Sequence, residues 1–353
     1  MTRTGLQLHL LPPSDALVDQ WAKLRTAIIG RRTNWKDPAR QLYKLLIYPA
    51  EEAIIGKRLV IVPDGVLDFV PFELLLTEEP TMSPETKSFG RSQLQELGQT
   101  YGDSSVVPHW KQSGDNAPAA FLINRHAVIY SPSAAYLAAV RRRTATARGT
   151  VWPQDFIGFA PIEFHSAARL PGTEDEVRGI ARLFPVGRAT VYIGVHTTKL
   201  AVCTAGLRQY RFIHFATHGQ ADQQRPELCG LLFPNADQDD LLQTAEVFQL
   251  DLTADLVAAS ACVTGLGRQV DGEGVVGLKR GFLRAGAKSV CVSLWSVADD
   301  PTAELMTRFY RHLIVDCLDK AEALRRAKRE LIEEGRWTEP FFWAPFVLSG
   351  DWR

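Results

Sequence analysis

Apolar and polar positions along the chain fall into two recurring patterns, a helical period and short apolar runs. Behind Ser14, Leu17, Trp21, Leu24 and Ile28 share one face at helical spacing, which predicts an amphipathic helix. Just before it, the alternation from Leu6 to Leu10 predicts a strand. Asp37-Pro38 is a cap followed by proline in the first turn, and it opens a second helix with Leu42, Leu45 and Leu46 in its stripe. Leu59-Val60-Ile61-Val62 reads as a short buried strand, stopped by the turn Pro63-Asp64-Gly65. A further strand is expected over Ala127 to Tyr130, and a helix over Ser133 to Val140. Between these elements, residues 77–120 are rich in Pro, Ser, Gly, Gln and charge, and they read as one long insertion.

From residue 151 onward, strands and helices alternate. Strands are expected at Phe156 to Ala160, Thr190 to Ile193, Arg211 to Ala216, Leu256 to Ala261 and Ser289 to Leu294. Thr173-Glu174-Asp175-Glu176 has the form of a capping box, opening a helix with Val177, Ile180 and Phe184 inward. Other helices are expected at Lys199 to Gln209, at Gly274 to Ala285, after Asp300-Pro301 with Leu305, Phe309 and Leu313 inward, and at Lys320 to Ile332. Phe346 to Leu348 is expected to close the sheet. This order predicts an α/β fold, a parallel sheet with helices on both faces. Arg141 to Gly149 reads as a solvated basic linker, dividing the chain into residues 1–148 and 149–353.

Composition narrows the function classes. Forty basic residues balance forty acidic ones, so no global field attracts nucleic acid or an anionic membrane. No apolar run is long enough to span a bilayer, and the N-terminus lacks a secretory pattern, so a cytoplasmic protein is expected. The five cysteines are scattered and form no CxxC, which argues against a disulfide framework and a zinc site. The glycine-rich stretch Gly265 to Gly281 lacks the Gly-Lys-Ser/Thr ending of a phosphate loop. No cofactor is expected.

Two strands end in reactive residues. His218 follows RFIHFAT and Cys262 follows LVAASA. In open α/β sheets functional groups collect at the carboxyl edges of strands. If these two strands are parallel neighbours, an imidazole and a thiol face one crevice, the pairing used for attack on a carbonyl. His218 precedes Cys262 by 44 residues, near the His–Cys interval of caspases, and ASACVTG resembles the caspase signature without matching it. Gly219 lets backbone approach a bound carbonyl, so its N–H and that of Cys262 are expected to form an oxyanion hole. His214, inside the strand pattern, reads as a core residue.

HFATHG, ASACVTGLG and GEGVVGLKRGFLRAGAKSVCVSLWSVADDPTAELMTRFY resemble the CHAT family of caspase-like peptidases, which are related to separases. LVIVPDGVLDFVPFELL, YSPSAAYL, LPGTEDEVRGIARLF and PFFWAPFVLSGDW extend the resemblance over nearly the whole chain outside 77–120. It implies a caspase-like sheet core over 149–353 with a dyad of His218 and Cys262, preceded by a degenerate, non-catalytic caspase-like half over 1–148. It implies a cysteine endopeptidase acting on a protein substrate, in a setting of bacterial signalling or defence. Asp299, in WSVAD, corresponds to an acid that lines an arginine pocket in separases, which implies a basic P1 preference; otherwise Asp299 or Asp300 caps the next helix. Family members usually carry tetratricopeptide repeats or another sensor ahead of this module. None precedes it here, so the chain is expected to be a fragment or to be activated by a separate sensor or repeat-containing partner. The alternative is a catalytically silent adaptor that uses the same fold to bind proteins.

Overall fold

The computed structural model describes residues 6–77, 120–146, 151–220, 229–260, 262–264 and 273–353. Its centre is a sheet of eight strands among the described residues: β1 (Leu59–Ile61), β2 (Val128–Tyr130), β3 (Gln154–Ala160), β4 (Ala189–Ile193), β5 (Tyr210–Phe215), β9 (Leu256–Ala259), β11 (Ser289–Ser293) and β12 (Phe346–Gly350). Their spatial order is β1-β2-β12-β11-β9-β5-β3-β4. Every neighbouring pair is parallel except β11 and β12, so two parallel blocks of opposite direction meet there. A smaller sheet contains β6 (His218–Gln220), β7 (Gly230–Pro234), β8 (Asp239–Gln243) and β10 (Cys262–Thr264), in the order β10-β6-β7-β8.

Eight helices of six or more residues accompany the sheets among the described residues: α1 (Ser14–Ile29), α2 (Lys36–Leu46), α3 (Ala134–Thr146), α4 (Gly172–Ala181), α5 (Lys199–Thr204), α6 (Glu273–Ala285), α7 (Asp299–Ile314) and α8 (Lys320–Glu333). They cover both faces of the large sheet, as successive residues of β5 show. His214 points to Glu176 of α4 and Tyr310 of α7, whereas Phe215 stacks on Phe282 of α6, 5.6 Å between ring centres. That alternation is the ordinary pleat of a strand buried on both sides. Gly158 of β3 allows α4 to lie close, because a Cβ there would sit 2.5 Å from Val177 Cγ1. Leu17, Trp21, Leu24 and Ile28 are all buried, as their spacing predicts. Burying each stabilises the fold by roughly 1.5–3 kcal/mol before chain entropy. Among the described residues no helix is long and apolar enough to cross a membrane.

Several local expectations are corrected. Leu6 to Leu10 forms no strand, and Leu6, Leu8 and Leu10 are exposed; the alternation is real, but no strand among the described residues takes up its hydrogen bonds. β1 is an edge strand with Val60 half-exposed, so it is not fully buried. The helix expected over 199–209 stops at Thr204, because Gly206 turns left-handed with φ 64°. α3 continues through the basic run to Thr146, so the linker does not begin at Arg141. β12 lies between β2 and β11 rather than at an edge. α7 starts after Ala298, and neither Asp299 nor Asp300 is its N-cap; both acids lie in its first turn, where the helix dipole favours them. The insertion at 77–120 lies outside the described residues except at its ends. There Thr77 N–H donates to Ala120 O at 2.9 Å, so the chain leaves and re-enters the fold at one point.

Candidate active site

β5 and β9 are parallel neighbours, with Phe215 in register with Ala259. Both chains continue past the large sheet and pair again as β6 and β10, also in parallel. Cys262 is there in register with His218, and Val263 with Gly219. Strands paired this way run roughly 4.8 Å apart. Gly219 is buried, with Val263 on one side and Leu231 of β7 on the other. The sequence-derived pair is thus brought side by side on the backbone of the smaller sheet.

The His218 ring is held by a segment that follows β3. Nε2 lies 2.7 Å from Ala168 O, and because a carbonyl only accepts, Nε2 carries the proton. In the neutral ring Nδ1 is then the basic nitrogen. The ring of Phe164 packs on the imidazole edge-to-face at 4.7 Å. Nothing in the sequence marks a backbone carbonyl as an orienting group, so Ala168 was not legible there.

The same segment is clamped by Asp239 of β8. Oδ1 accepts from His165 N–H at 3.0 Å, and Oδ2 accepts from the amide and the hydroxyl of Ser166, each at 2.6 Å. Burial alone would raise this carboxyl, but the Ser166 hydroxyl and the two amides outweigh burial and hold it below the usual carboxylate range. A depressed carboxyl stabilises the fold above its unfolded pKa of about 4, and that contribution is lost as pH falls through the lower folded value. Acid below about pH 4 should therefore release residues 161–171 before the core melts. Hydrogen exchange against pH should show this segment losing protection first, and Asp239→Asn should show the same loss at neutral pH.

Beside His218 lies a pocket of about 80 Å³, lined by Thr173, Glu176, Ser260, Ser296 and Asp299 among others. Asp299 is half-buried, and its Oδ2 accepts weakly from Gly172 N–H at 3.4 Å. Burial raises its carboxyl above the ordinary value; the Gly172 amide opposes this, Glu176 adds to it and His218 opposes it. Among the described residues no lysine or arginine pairs with Asp299, and its basic neighbour is His218. Gly172 permits the close approach, since a Cβ there would be 2.8 Å from Asp299 Cβ.

Glu176 departs from its sequence reading. Thr173 Oγ1 donates to Leu170 O, the N-cap position is Pro171, and no side-chain cap forms. Instead Glu176 turns inward, 2% exposed, and accepts from His214 Nε2 at 2.8 Å. A buried imidazole N–H needs an acceptor, and that need outweighs a cap that water can replace. His214 is fully buried, as expected of a core residue. The other cysteines differ in setting: Cys291 is buried, with its thiol pushed up to about 12 by burial, while Cys203 and Cys317 are exposed.

This is a mixed α/β fold with a histidine and a cysteine at the ends of adjacent parallel strands. The chain belongs to the CHAT domain family, whose profile matches residues 36–351. It is similar to tetratricopeptide repeat protein 28 of Mus musculus, 27% identical over 92% of this chain and 14% of that protein. The chain therefore spans about one-seventh of the length of that relative. Among solved structures it is similar to the separase of the Saccharomyces cerevisiae separase–securin complex (TM-score 0.45, 14% identical, 66% of this chain and 14% of that one). It is also similar to the Arg-specific cysteine proteinase gingipain R (TM-score 0.43, 11% identical, 64% of this chain and 54% of that one).

Proposed function

We propose that the chain is a cysteine endopeptidase with Cys262 as nucleophile and His218 as its acid–base partner. The observation that carries this reading is the register of Cys262 opposite His218, with His218 Nε2 tied to the Ala168 carbonyl. An imidazole fixed through one nitrogen keeps the other free to take a proton from a neighbouring thiol. The Cys262 sulfur attacks the scissile carbonyl carbon, forming a C–S bond and an oxyanion. The backbone N–H groups of Gly219 and Cys262 receive that oxyanion. The C–N bond then breaks, the leaving amine takes the proton held by His218, and water hydrolyses the thioester.

Asp299 binds the P1 side chain, and a carboxylate in the pocket beside His218 favours a cationic residue there. Residues 1–148 act as a non-catalytic unit that completes the sheet. A sensor or a repeat-containing partner switches the enzyme on, a reading in keeping with relatives named for tetratricopeptide repeats.

The test is labelling with a peptidyl acyloxymethyl ketone carrying arginine at P1. Mass spectrometry should find the adduct on Cys262 in the wild type and none in His218→Ala. Equal labelling of Cys203 and Cys317, with Cys262 unmodified, would favour a silent adaptor.

A further inference from the structure

A second group of charges gathers at the sheet edge opposite His218, where β3, β5, β9 and β11 begin and β12 ends. Two tryptophans stand there, Trp152 just ahead of β3 and Trp352 just after β12. Lys288 lies over the Trp152 ring at 4.7 Å and Arg211 at 5.7 Å, while Arg141 of α3 lies over the Trp352 ring at 4.1 Å. The two tryptophan sites adjoin, because Asp351 N–H donates to Lys288 O at 2.9 Å. The acids of this edge do not neutralise these cations. Asp255 pairs with the buried Lys320 at 3.1 Å, and Arg211 and Lys288 crowd the same carboxylate at 3.3 and 3.7 Å. Burial alone would raise this carboxyl, but Lys320, Lys288 and Arg211 outweigh burial and hold it below its ordinary value. One carboxylate cannot balance three cations. Asp319 is taken by Arg58 and caps α8, and Asp351 is buried and acts on Lys320. Among the described residues no carboxylate pairs with Arg141, whose contact is the Trp352 ring. Arg141, Arg211 and Lys288 therefore carry charge in surplus.

We propose that this edge docks an extended acidic segment of a partner protein, whose carboxylates pair with Arg141, Arg211 and Lys288. A guanidinium stacked on an indole spends its flat face and keeps its in-plane N–H donors for a carboxylate. Packing on Trp352 also fixes the Arg141 side chain in advance, which lowers the ordering cost of binding. The tryptophans and cations are spread across five neighbouring strands rather than gathered at one point. That span is roughly 19 Å, the length of an extended segment of about six residues. The acids on the same edge, and a formal net charge of zero for the chain, disfavour a nucleic acid, whose phosphates need an unbroken basic track. The edge lies at the far end of β5 from His218, so a docked segment leaves the proposed active site open.

The test is fluorescence anisotropy of the full chain with a labelled peptide of alternating glutamate and serine, about six residues long. Wild type should bind it at physiological ionic strength and lose affinity as salt rises, since the charge pairs are partly open to solvent. Arg141→Gln combined with Arg211→Gln should bind at least tenfold more weakly. Arg178→Gln combined with Arg329→Gln removes the same charge from surface helix pairs elsewhere, and should bind about as well as wild type. Thermal melting checks that each variant folds. If the glutamine at position 141 does not allow folding, Arg141→Lys replaces it; the lysine keeps the charge but not the flat stack, and should still cost about threefold. Equal weakening by the two pairs of substitutions would overturn the proposal, because net charge alone would then account for binding. Failure of the wild type to bind at protein concentrations on the order of 100 μM would also overturn it. Tighter binding of a labelled oligothymidylate, lost in the Arg141 and Arg211 variant, would overturn it in favour of a nucleic acid. Binding is read directly, so the outcome stands whether or not the chain cleaves peptides.

Discussion

A His218→Ala variant should fold normally and lose about 10²- to 10⁴-fold in peptide turnover, the range that one positioned acid–base group supplies. The side chain is half-buried at the start of a three-residue strand, and the backbone pairing of β6 with β10 and β7 does not depend on it. What disappears is the hydrogen bond to Ala168 O and the edge contact with Phe164. Together these are worth about 1 kcal/mol, a melting shift of only a few degrees. Turnover therefore falls far more than stability. Turnover within threefold of wild type would mean that the imidazole takes no part in the chemistry.

A Lys328→Ala variant should be destabilised by about 3–5 kcal/mol, with its melting temperature lower by on the order of 10 °C. Lys328 of α8 is fully buried, and its Nζ lies 3.1 Å from Glu73 Oε1. Glu73 Oε2 accepts from the Tyr130 hydroxyl at 2.5 Å, and Tyr130 in turn accepts from Phe72 N–H at 2.8 Å. Burial, with Glu73 beside it, pushes the Tyr130 phenol well above its ordinary value and keeps it a donor. Removing the ammonium leaves the buried Glu73 carboxyl with Tyr130 as its one side-chain donor among the described residues. The network joins α8 to β2 and to the segment around Glu73, so its loss should loosen those two from α8. Replacing both partners, as in Glu73→Gln with Lys328→Met, should recover much of the loss, because no uncompensated charge remains. A single variant within 1 kcal/mol of wild type would contradict this account.

Much of this arrangement was legible in the sequence, for physical reasons specific to each element. RFIHFAT and LVAASA are apolar runs too short for helices, and both stop at a reactive residue, so parallel neighbours place His218 and Cys262 at one sheet edge. The stripe of α1 is long and strongly periodic, and it folds as read. Strand order is a different matter, because it depends on contacts between residues far apart in sequence. Phe346 to Leu348 announces a strand but not its insertion between β2 and β11. The hairpin of β7 and β8 hides in CGLLFPNADQDDLLQ, where the acidic turn dilutes the apolar signal. Glu176 was masked by a competing local motif, since Thr-x-x-Glu fits a capping box and only tertiary packing turns the carboxylate toward His214. The Ala168 carbonyl leaves no trace in residue identity at all. Asp299 was named from resemblance, and its position beside His218 became clear only with the fold.

The central claim is that the Cys262 thiol attacks a peptide carbonyl. Its most direct test is cleavage of a peptide library by the purified chain, wild type beside Cys262→Ala, with cut sites read by mass spectrometry. The account predicts cuts by the wild type, clustered after basic residues, and none by the variant, at equal folded content. The same cuts from Cys262→Ala would contradict it and assign the chemistry to another group.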